Sequence, residues 1–291
     1  MTMKEPRVVA EIGCNHMGSM DTAKELILMA KTFCKADVIK LQKRDVKTWA
    51  KKDPELYSSP HPNPANAYGE TYREHREALE FTKEQHRELK EYCEEVGIEY
   101  STSVWDLKSA QEIADLHPNL IKIPSACNNH WEMLEWLCQN FDGEIHISTG
   151  MTTADEVGDL IDFFVKQKRN KDVVLYSCTS GYPVPFEDIC LLEITNFVKK
   201  YGKIVKEIGF SGHHLGIAID VAAYTLGATT IERHYTLDRT SKGTDHAASL
   251  EPDGLRRVKR DLMATYKALR FKGDGLLEIE KAQREKLKWN K

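Results

Sequence analysis

Between residues 7 and 269 the chain alternates two kinds of hydrophobic pattern. Short apolar, β-branched runs are followed by longer stretches in which apolar positions recur at helical spacing. The short runs predict strands at Arg7–Ile12, Asp37–Gln42, Ile98–Val104, Leu120–Pro124, Glu144–Ser148, Val173–Cys178, Glu207–Ser211 and Thr229–His234. The longer stretches predict helices at Thr22–Cys34, Glu84–Val96, Leu107–Leu116, Trp131–Asn140, Ala154–Gln167, Glu187–Lys200, Leu215–Leu226 and Asp253–Leu269. Asp21 and Asp106 stand where N-caps are needed, and Gly97 stands where a helix must end. Buried strands separated by crossover helices are parallel βαβ units. Eight of them predict an α/β fold of one domain, a closed (β/α)8 barrel of the TIM type. No glycine-rich dinucleotide fingerprint follows the first strand, which argues against an open doubly wound sheet.

One segment breaks the rhythm. Residues Arg44–Phe81 are long, polar and rich in Pro, Asn and Tyr, too long for a plain βα loop. At the mouth of a barrel such an insertion is expected to act as a lid. Residues 1–270 are therefore read as the barrel, with 44–81 inserted in it, and 271–291 as a tail.

Catalytic groups of such barrels come from the C-terminal ends of the strands. In order, those ends offer Glu11; Lys40 and Gln42; Ser101 and Thr102; Lys122 and Ser125; Ser148; Cys178, Ser180 and Tyr182; Ser211 and His213; Glu232 and His234. Lys40 in VIKLQ and Lys122 in LIKIP sit within apolar strands. A buried ammonium needs a partner, so these lysines either pair with a carboxylate such as Glu11 or bind an anion. With the surrounding hydroxyls they suit a small phosphorylated or carboxylated ligand. The stretch Gly209–Leu250 also gathers His213, His214, Glu232, His234, Asp245 and His246. Two imidazoles at the same end of neighbouring parallel strands can converge on one metal ion.

Composition narrows the function further. The 291 residues carry a net charge of −4, with 41% hydrophobic and 30% charged residues, and no basic stretch stands out. That argues against a nucleic-acid binder. No secretory signal or membrane-length apolar run is present in the sequence. The seven cysteines show no CxxC spacing and read as reduced thiols of a cytoplasmic protein.

The strand ends then form recognisable motifs: Glu11–Gly18 (EIGCNHMG), Lys40–Gln42 (KLQ), Lys122–Ser125 (KIPS), Ser148–Met151 (STGM), Cys178–Pro183 (CTSGYP), Gly227–Thr236 (GATTIERHYT) and Lys242–Leu250 (KGTDHAASL). In this order the set resembles the sialic acid synthases, the N-acetylneuraminate synthase family. The resemblance implies condensation of phosphoenolpyruvate with an N-acylated amino sugar, such as an N-acetylmannosamine-like aldose. The products would be a nine-carbon 2-keto-3-deoxy acid and phosphate. It implies a divalent cofactor, Mn2+ or Mg2+, on His213 and His234. Lys40, Lys122, Thr102, Ser125, Ser148 and Ser211 would contact phosphoenolpyruvate, with Ser180 beside them. Glu11, Gln42, Asn66, Tyr182 and Asp245 would serve as metal-water, sugar or acid/base positions. Small-molecule substrates and a homo-oligomer complete the expectation.

Three departures from the family pattern stand out. Ser211-Gly212-His213 replaces a usual Ser-Asp-His triplet, and Cys127 stands where a glutamate is usual. The usual C-terminal antifreeze-like domain is not found, and Glu280–Lys288 resembles the start of the linker to it. The alternatives are a synthase acting on a sugar phosphate, signalled by basic residues such as Arg44 or Arg73 at the mouth, and a phosphoenolpyruvate-binding pseudoenzyme disabled at Gly212 and Cys127.

Overall fold

The computed structural model describes residues 4–290. Eight parallel strands close into a barrel in sequence order. They are β1 (Arg7–Gly13), β2 (Val38–Lys43), β3 (Glu99–Val104), β4 (Leu120–Ile123), β5 (Glu144–Ser148), β6 (Val173–Cys178), β7 (Glu207–Gly212) and β8 (Thr230–His234). β1 pairs with both β2 and β8, so the sheet has no free edge.

The crossover helices bury one apolar stripe each. In Met20–Thr32 the stripe is Ala23, Leu26, Ile27 and Ala30, all inaccessible to solvent. That i, i+3, i+4, i+7 spacing is one face of a helix, and each such Leu or Ile contributes about 1.5–3 kcal/mol. Ser19, not Asp21, caps this helix by accepting from the Thr22 amide; Asp21 lies within the first turn, where its charge still complements the helix dipole. Asp106 caps Leu107–Ala114 and Gly97 ends Lys83–Val96 in the left-handed region at φ 77°, as the sequence predicts. Two helices start later than their patterns suggest: Leu192–Tyr201 follows a separate turn at Phe186–Asp188, and Ala218–Thr225 begins only after an irregular approach from His214.

The inserted segment is structured. Three short helices, Val46–Lys52, Pro54–Ser58 and Tyr72–Leu79, occupy most of it. The Tyr68 hydroxyl ties it to the Lys242 carbonyl of the loop after β8 at 2.5 Å. Beyond the last barrel helix, Pro252–Ala268, the tail carries a helix at Glu278–Leu287 with no buried residues. Among the described residues no helix is long and apolar enough to cross a membrane.

Strand alternation sorts side chains between two compartments. The main apolar core lies between strands and helices. Val9, Val38 and Leu120 form a separate apolar cluster. These residues share their strand faces with Glu11, Lys40 and Lys122, two residues further along. The barrel lumen is thus closed by hydrocarbon beneath a charged floor.

Candidate active site

The register of the barrel assembles that floor. Glu11 lies opposite Lys40 on β2 and opposite His234 on β8. Ser211 lies opposite Glu232, and Ser103 opposite Lys122. Above them is a cavity of about 470 Å3, lined by Glu11, Lys40, Gln42, Lys122, Ser125, Ser148, Ser180, Tyr182, Ser211, His213, His234 and Asp245, together with Glu232, Ser103, Arg44 and Arg76. Twelve of the fourteen residues singled out from the sequence thus meet in one place.

Thr102 and Asn66 do not. Thr102 is fully buried, but its hydroxyl donates to the Tyr100 hydroxyl at 2.7 Å behind the barrel wall. Its neighbour Ser103 lines the cavity and accepts from Lys40 Nζ at 2.7 Å. Alternation is the reason: adjacent strand residues face opposite sides. The aromatic Tyr100, two positions before Thr102, marks the outward face, and that signal was available in the sequence. Asn66 is half-buried in the turn Pro64–Asn66 and is not part of the lining. The insertion instead contributes Tyr72 and Arg76, one helical turn apart on the same face.

The floor is an ion-pair cluster. Lys40 Nζ lies 2.8 Å from Glu11 Oε2 and 3.5 Å from Glu232 Oε1, and Lys122 Nζ lies 2.8 Å from Glu232 Oε2. Ser211 donates to Glu232 Oε1 at 3.0 Å, and Lys122 stands over the Tyr176 ring at 3.5 Å. The lysines are thus paired with carboxylates, as one of the two sequence readings predicts, and they also line the cavity. Burial would raise Glu232, but Lys122 and Lys40 overcome it and hold this carboxyl well below its ordinary range. For Glu11 burial wins over Lys40, and with Glu232 nearby its carboxyl is pushed up to about 7. Burial also opposes the charge of Lys40, but Glu11 and Glu232 outweigh it and raise that ammonium. In Lys122 burial prevails over Glu232 and lowers it. Two neighbouring carboxylates with opposed shifts are a common mark of acid/base chemistry.

The two histidines lie at the wall beside this floor. Their ring centroids are 5.3 Å apart, and the Tyr182 ring stands edge-on to both, at 4.4 Å from His213 and 5.8 Å from His234. Burial lowers both imidazoles, His213 to about 3 with His234 adding to the effect, so both are neutral. His213 Nδ1 lies 3.1 Å from the Thr179 carbonyl, which fixes a proton on Nδ1 and leaves Nε2 a lone pair. His234 Nδ1 is buried without a hydrogen-bond partner, 3.8 Å from Asp245 Oδ2. Among the described residues, no group of three or more His, Cys, Asp or Glu side chains forms a complete metal cage.

Neither His214 nor Cys127 joins the lining. His214 turns to the opposite side of the chain from His213, within 2.9 Å of Arg233 Nη1, which also pairs with Asp220 at 2.5 Å. Its ring and that of Phe210 fill the space beside Gly212: a Cβ there would lie 2.8 Å from Phe210 and 2.9 Å from His214. Cys127 is buried against the Trp105 carbonyl. Arg73, offered as a basic group at the mouth, is instead exposed and paired with Glu77. Cys14 and Cys178 do line the cavity, but burial raises both thiols, Cys14 to about 11, so neither is a ready nucleophile.

The chain has known relatives. The family model described as "NeuB family" matches residues 26–274. The chain belongs to the NeuB family. It is 39% identical over 282 residues to the human N-acetylneuraminate-9-phosphate synthase, covering 96% of this chain and 76% of that protein. It is 31% identical over 290 residues to the N,N'-diacetyllegionaminic acid synthase of Campylobacter jejuni, covering 98% of this chain and 83% of that one. Among solved structures, the N-acetylneuraminic acid synthetase of Leptospira borgpetersenii in complex with citrate superposes with a TM-score of 0.81 at 26% identity, over 97% of this chain and 91% of that one. This NeuB-family chain is therefore an enzyme, a transferase that condenses phosphoenolpyruvate with a sugar.

Proposed function

We propose that the enzyme joins phosphoenolpyruvate to the open aldehyde form of an N-acylated amino sugar, giving a nine-carbon 2-keto-3-deoxy acid of the sialic type and inorganic phosphate, with a divalent ion on His213 and His234. The observation that carries this reading is the floor itself: two buried lysines among hydroxyls, beside two neutral histidines, in one cavity. Lys40 and Lys122, with Ser103, Ser125, Ser148 and Ser211, would bind the carboxylate and phosphate of phosphoenolpyruvate. Its methylene carbon then faces the acceptor, whose hydroxyls and N-acyl group would be held by Gln42, Ser180, Tyr182 and Asp245.

The donor set suits Mn2+ or Mg2+. Both imidazoles are neutral, the buried Nδ1 of His234 lacks a partner, and a carboxylate stands 3.8 Å from it. When bound, such an ion supplies Lewis-acid polarisation of the aldehyde oxygen. The carbon–carbon bond forms from the methylene carbon to the aldehyde carbon, and the aldehyde oxygen takes a proton. Water adds to the cationic carbon that carried the enol phosphate, losing a proton, and phosphate then leaves to give the ketone. Glu11, balanced near neutrality, would hold the proton exchanged in these steps.

The human relative is named for a 9-phosphate product, and condensation makes C6 of a hexosamine into C9. That favours a second reading in which the acceptor is a sugar 6-phosphate. The free cysteines support a reducing, cytoplasmic setting. Residues 1–270 would serve as the synthase unit, working within a homo-oligomer, and 271–291 as its tail.

The test is mass spectrometry of products from phosphoenolpyruvate and mixed N-acyl hexosamines, with Mn2+, coupled to phosphate release. A nine-carbon acid is expected. Chelator should stop phosphate release and Mn2+ restore it, and His213→Ala or His234→Ala should abolish it. Full turnover in chelator, or in either variant, would refute the metal assignment.

A further inference from the structure

The basic groups of the cavity fall into two sets with different partners. The lysines of the floor are matched: Lys40 and Lys122 share Glu11 and Glu232 at 2.8–3.5 Å. The arginines are not. Arg44 and Arg76 both line the cavity, yet they share a single carboxylate, Glu80. Arg76 is tied closely to it, and its Nε is buried without a hydrogen-bond partner. Arg44 is only 7% exposed; its backbone amide donates to Glu80 at 3.0 Å, but its guanidinium comes no nearer to that carboxylate than a loose 3.9 Å. Among the described residues its guanidinium donates no hydrogen bond at all. Its Cζ stands over the Trp105 ring, 3.8 Å from the centroid. Stacking of this kind fixes the plane of a guanidinium and leaves its in-plane donors for a bidentate anion.

Position separates the two sets as well. Lys40 and Gln42 share one face of β2, Arg44 follows one residue beyond its end at Lys43, and all three line the cavity. Four residues at about 3.3 Å each put the Arg44 backbone about 13 Å further toward the mouth than that of Lys40. Phosphoenolpyruvate on the floor requires the aldehyde end of the acceptor to face the lysines. The far end of the sugar, C6, then faces the rim.

We propose that Arg44, buttressed by Trp105 and assisted by Arg76, is a second anion subsite that reads a phosphate on the far end of the acceptor. The inference rests on the condensation reading above and adds to it the residue that selects the acceptor's charge. A neutral amino sugar would leave the Arg44 donors buried and unpaired; a 6-phosphate supplies the charge that Glu80 alone does not.

The experiment compares N-acetylmannosamine with its 6-phosphate as acceptors for the wild-type enzyme, Arg44→Ala and Arg44→Lys, under Mn2+ and saturating phosphoenolpyruvate. The wild type should prefer the 6-phosphate in kcat/KM by at least tenfold. Arg44→Ala should reduce that preference by about 10–100-fold, as expected for lost hydrogen bonds to a charged group. Arg44→Lys should restore only part of it, and the change should appear in the acceptor's KM more than in that for phosphoenolpyruvate. Equal use of both sugars by the wild type, or a defect carried by KM for phosphoenolpyruvate, would overturn the assignment. Binding is measured in parallel by calorimetry with the unreactive N-acetylmannosaminitol and its 6-phosphate. Tighter binding of the phosphate, lost in Arg44→Ala, would uphold the subsite even if neither aldose is turned over. Equal binding would overturn it even if condensation occurs.

Discussion

The floor makes a strong demand on one residue, Glu232. It is 6% exposed and receives Lys122 at 2.8 Å, Lys40 at 3.5 Å and Ser211 at 3.0 Å. Glu11, the other carboxyl of the cluster, is pushed up to about 7 and is only partly ionised at neutral pH. Glu232 therefore carries most of the compensation for two buried ammonium groups. Glu232→Gln keeps the shape and removes the charge, which for a buried pair costs about 3–5 kcal/mol. For 291 residues an unfolding entropy of about 2.1 cal/mol/K per residue gives about 0.6 kcal/mol/K, so Tm should fall by about 5–8 °C. The deficit should depend on pH in a defined direction. Lys122 is already lowered by burial and would fall further without Glu232. Above that depressed value the folded state binds fewer protons than the unfolded state, so stability rises with pH. The loss should thus be largest near pH 6 and shrink toward pH 9. Phosphoenolpyruvate should raise Tm more in the variant than in the wild type, because it supplies the missing anion without displacing Glu232. Thermal unfolding across pH 6–9, with and without phosphoenolpyruvate, reads all three effects. A variant within about 1 °C of wild type at pH 6, or one that gains no more from phosphoenolpyruvate, would refute this view of the floor.

Two further substitutions test the geometry. Ser103→Ala removes one of the acceptors of Lys40 Nζ and should lower kcat/KM for phosphoenolpyruvate by about tenfold or more, whereas Thr102→Val should leave it within about twofold and cost about 1 kcal/mol of stability by denaturant titration; the reverse pattern would mean that β3 faces the other way. Gly212→Asp, which installs the usual family residue, should cost about 1–3 kcal/mol because Phe210 and His214 occupy the space, and His214→Ala in the same chain should cost less than it does alone; strict additivity in a double-mutant cycle would argue against the clash.

Much of this site could be read from residue order because barrels translate strand ends into a ring. Lys40 in VIKLQ, Lys122 in LIKIP and the pair His213 and His234 needed only the strand boundaries to be placed on it. What escaped depended on a side chain's direction or on a long-range neighbour. Thr102 and Ser103 are both strand-end hydroxyls, and only the outward Tyr100 separates them. The role of Glu232 as counter-ion to lysines of β2 and β4 exists only once the barrel closes. Arg76 belongs to an insertion whose three short helices have no barrel template to fix their direction, and Asn66 missed the cavity for the same reason, whereas Arg44, named from the sequence as a basic group of the mouth, directly follows β2 and lines the cavity.

The same distinction decides what the departures at Gly212 and Cys127 mean. A pseudoenzyme reading requires that these changes remove chemistry from the cavity. Neither residue lines it. Gly212 is small because two rings fill the volume next to it, and the imidazole responsible, His214, belongs to a buried group with Arg233 and Asp220 on the far side of the chain. Cys127 is 2% exposed and donates to a backbone carbonyl of Trp105, the ring on which Arg44 rests. Both are packing solutions in the wall. The groups able to move charge or protons, Glu11, Lys40, Lys122, His213, Glu232, His234 and Asp245, all remain around one cavity with opposed carboxyl shifts. Two substitutions behind the wall change how that wall is held, and the ionisable groups proposed above to serve the condensation all line the cavity in front of it.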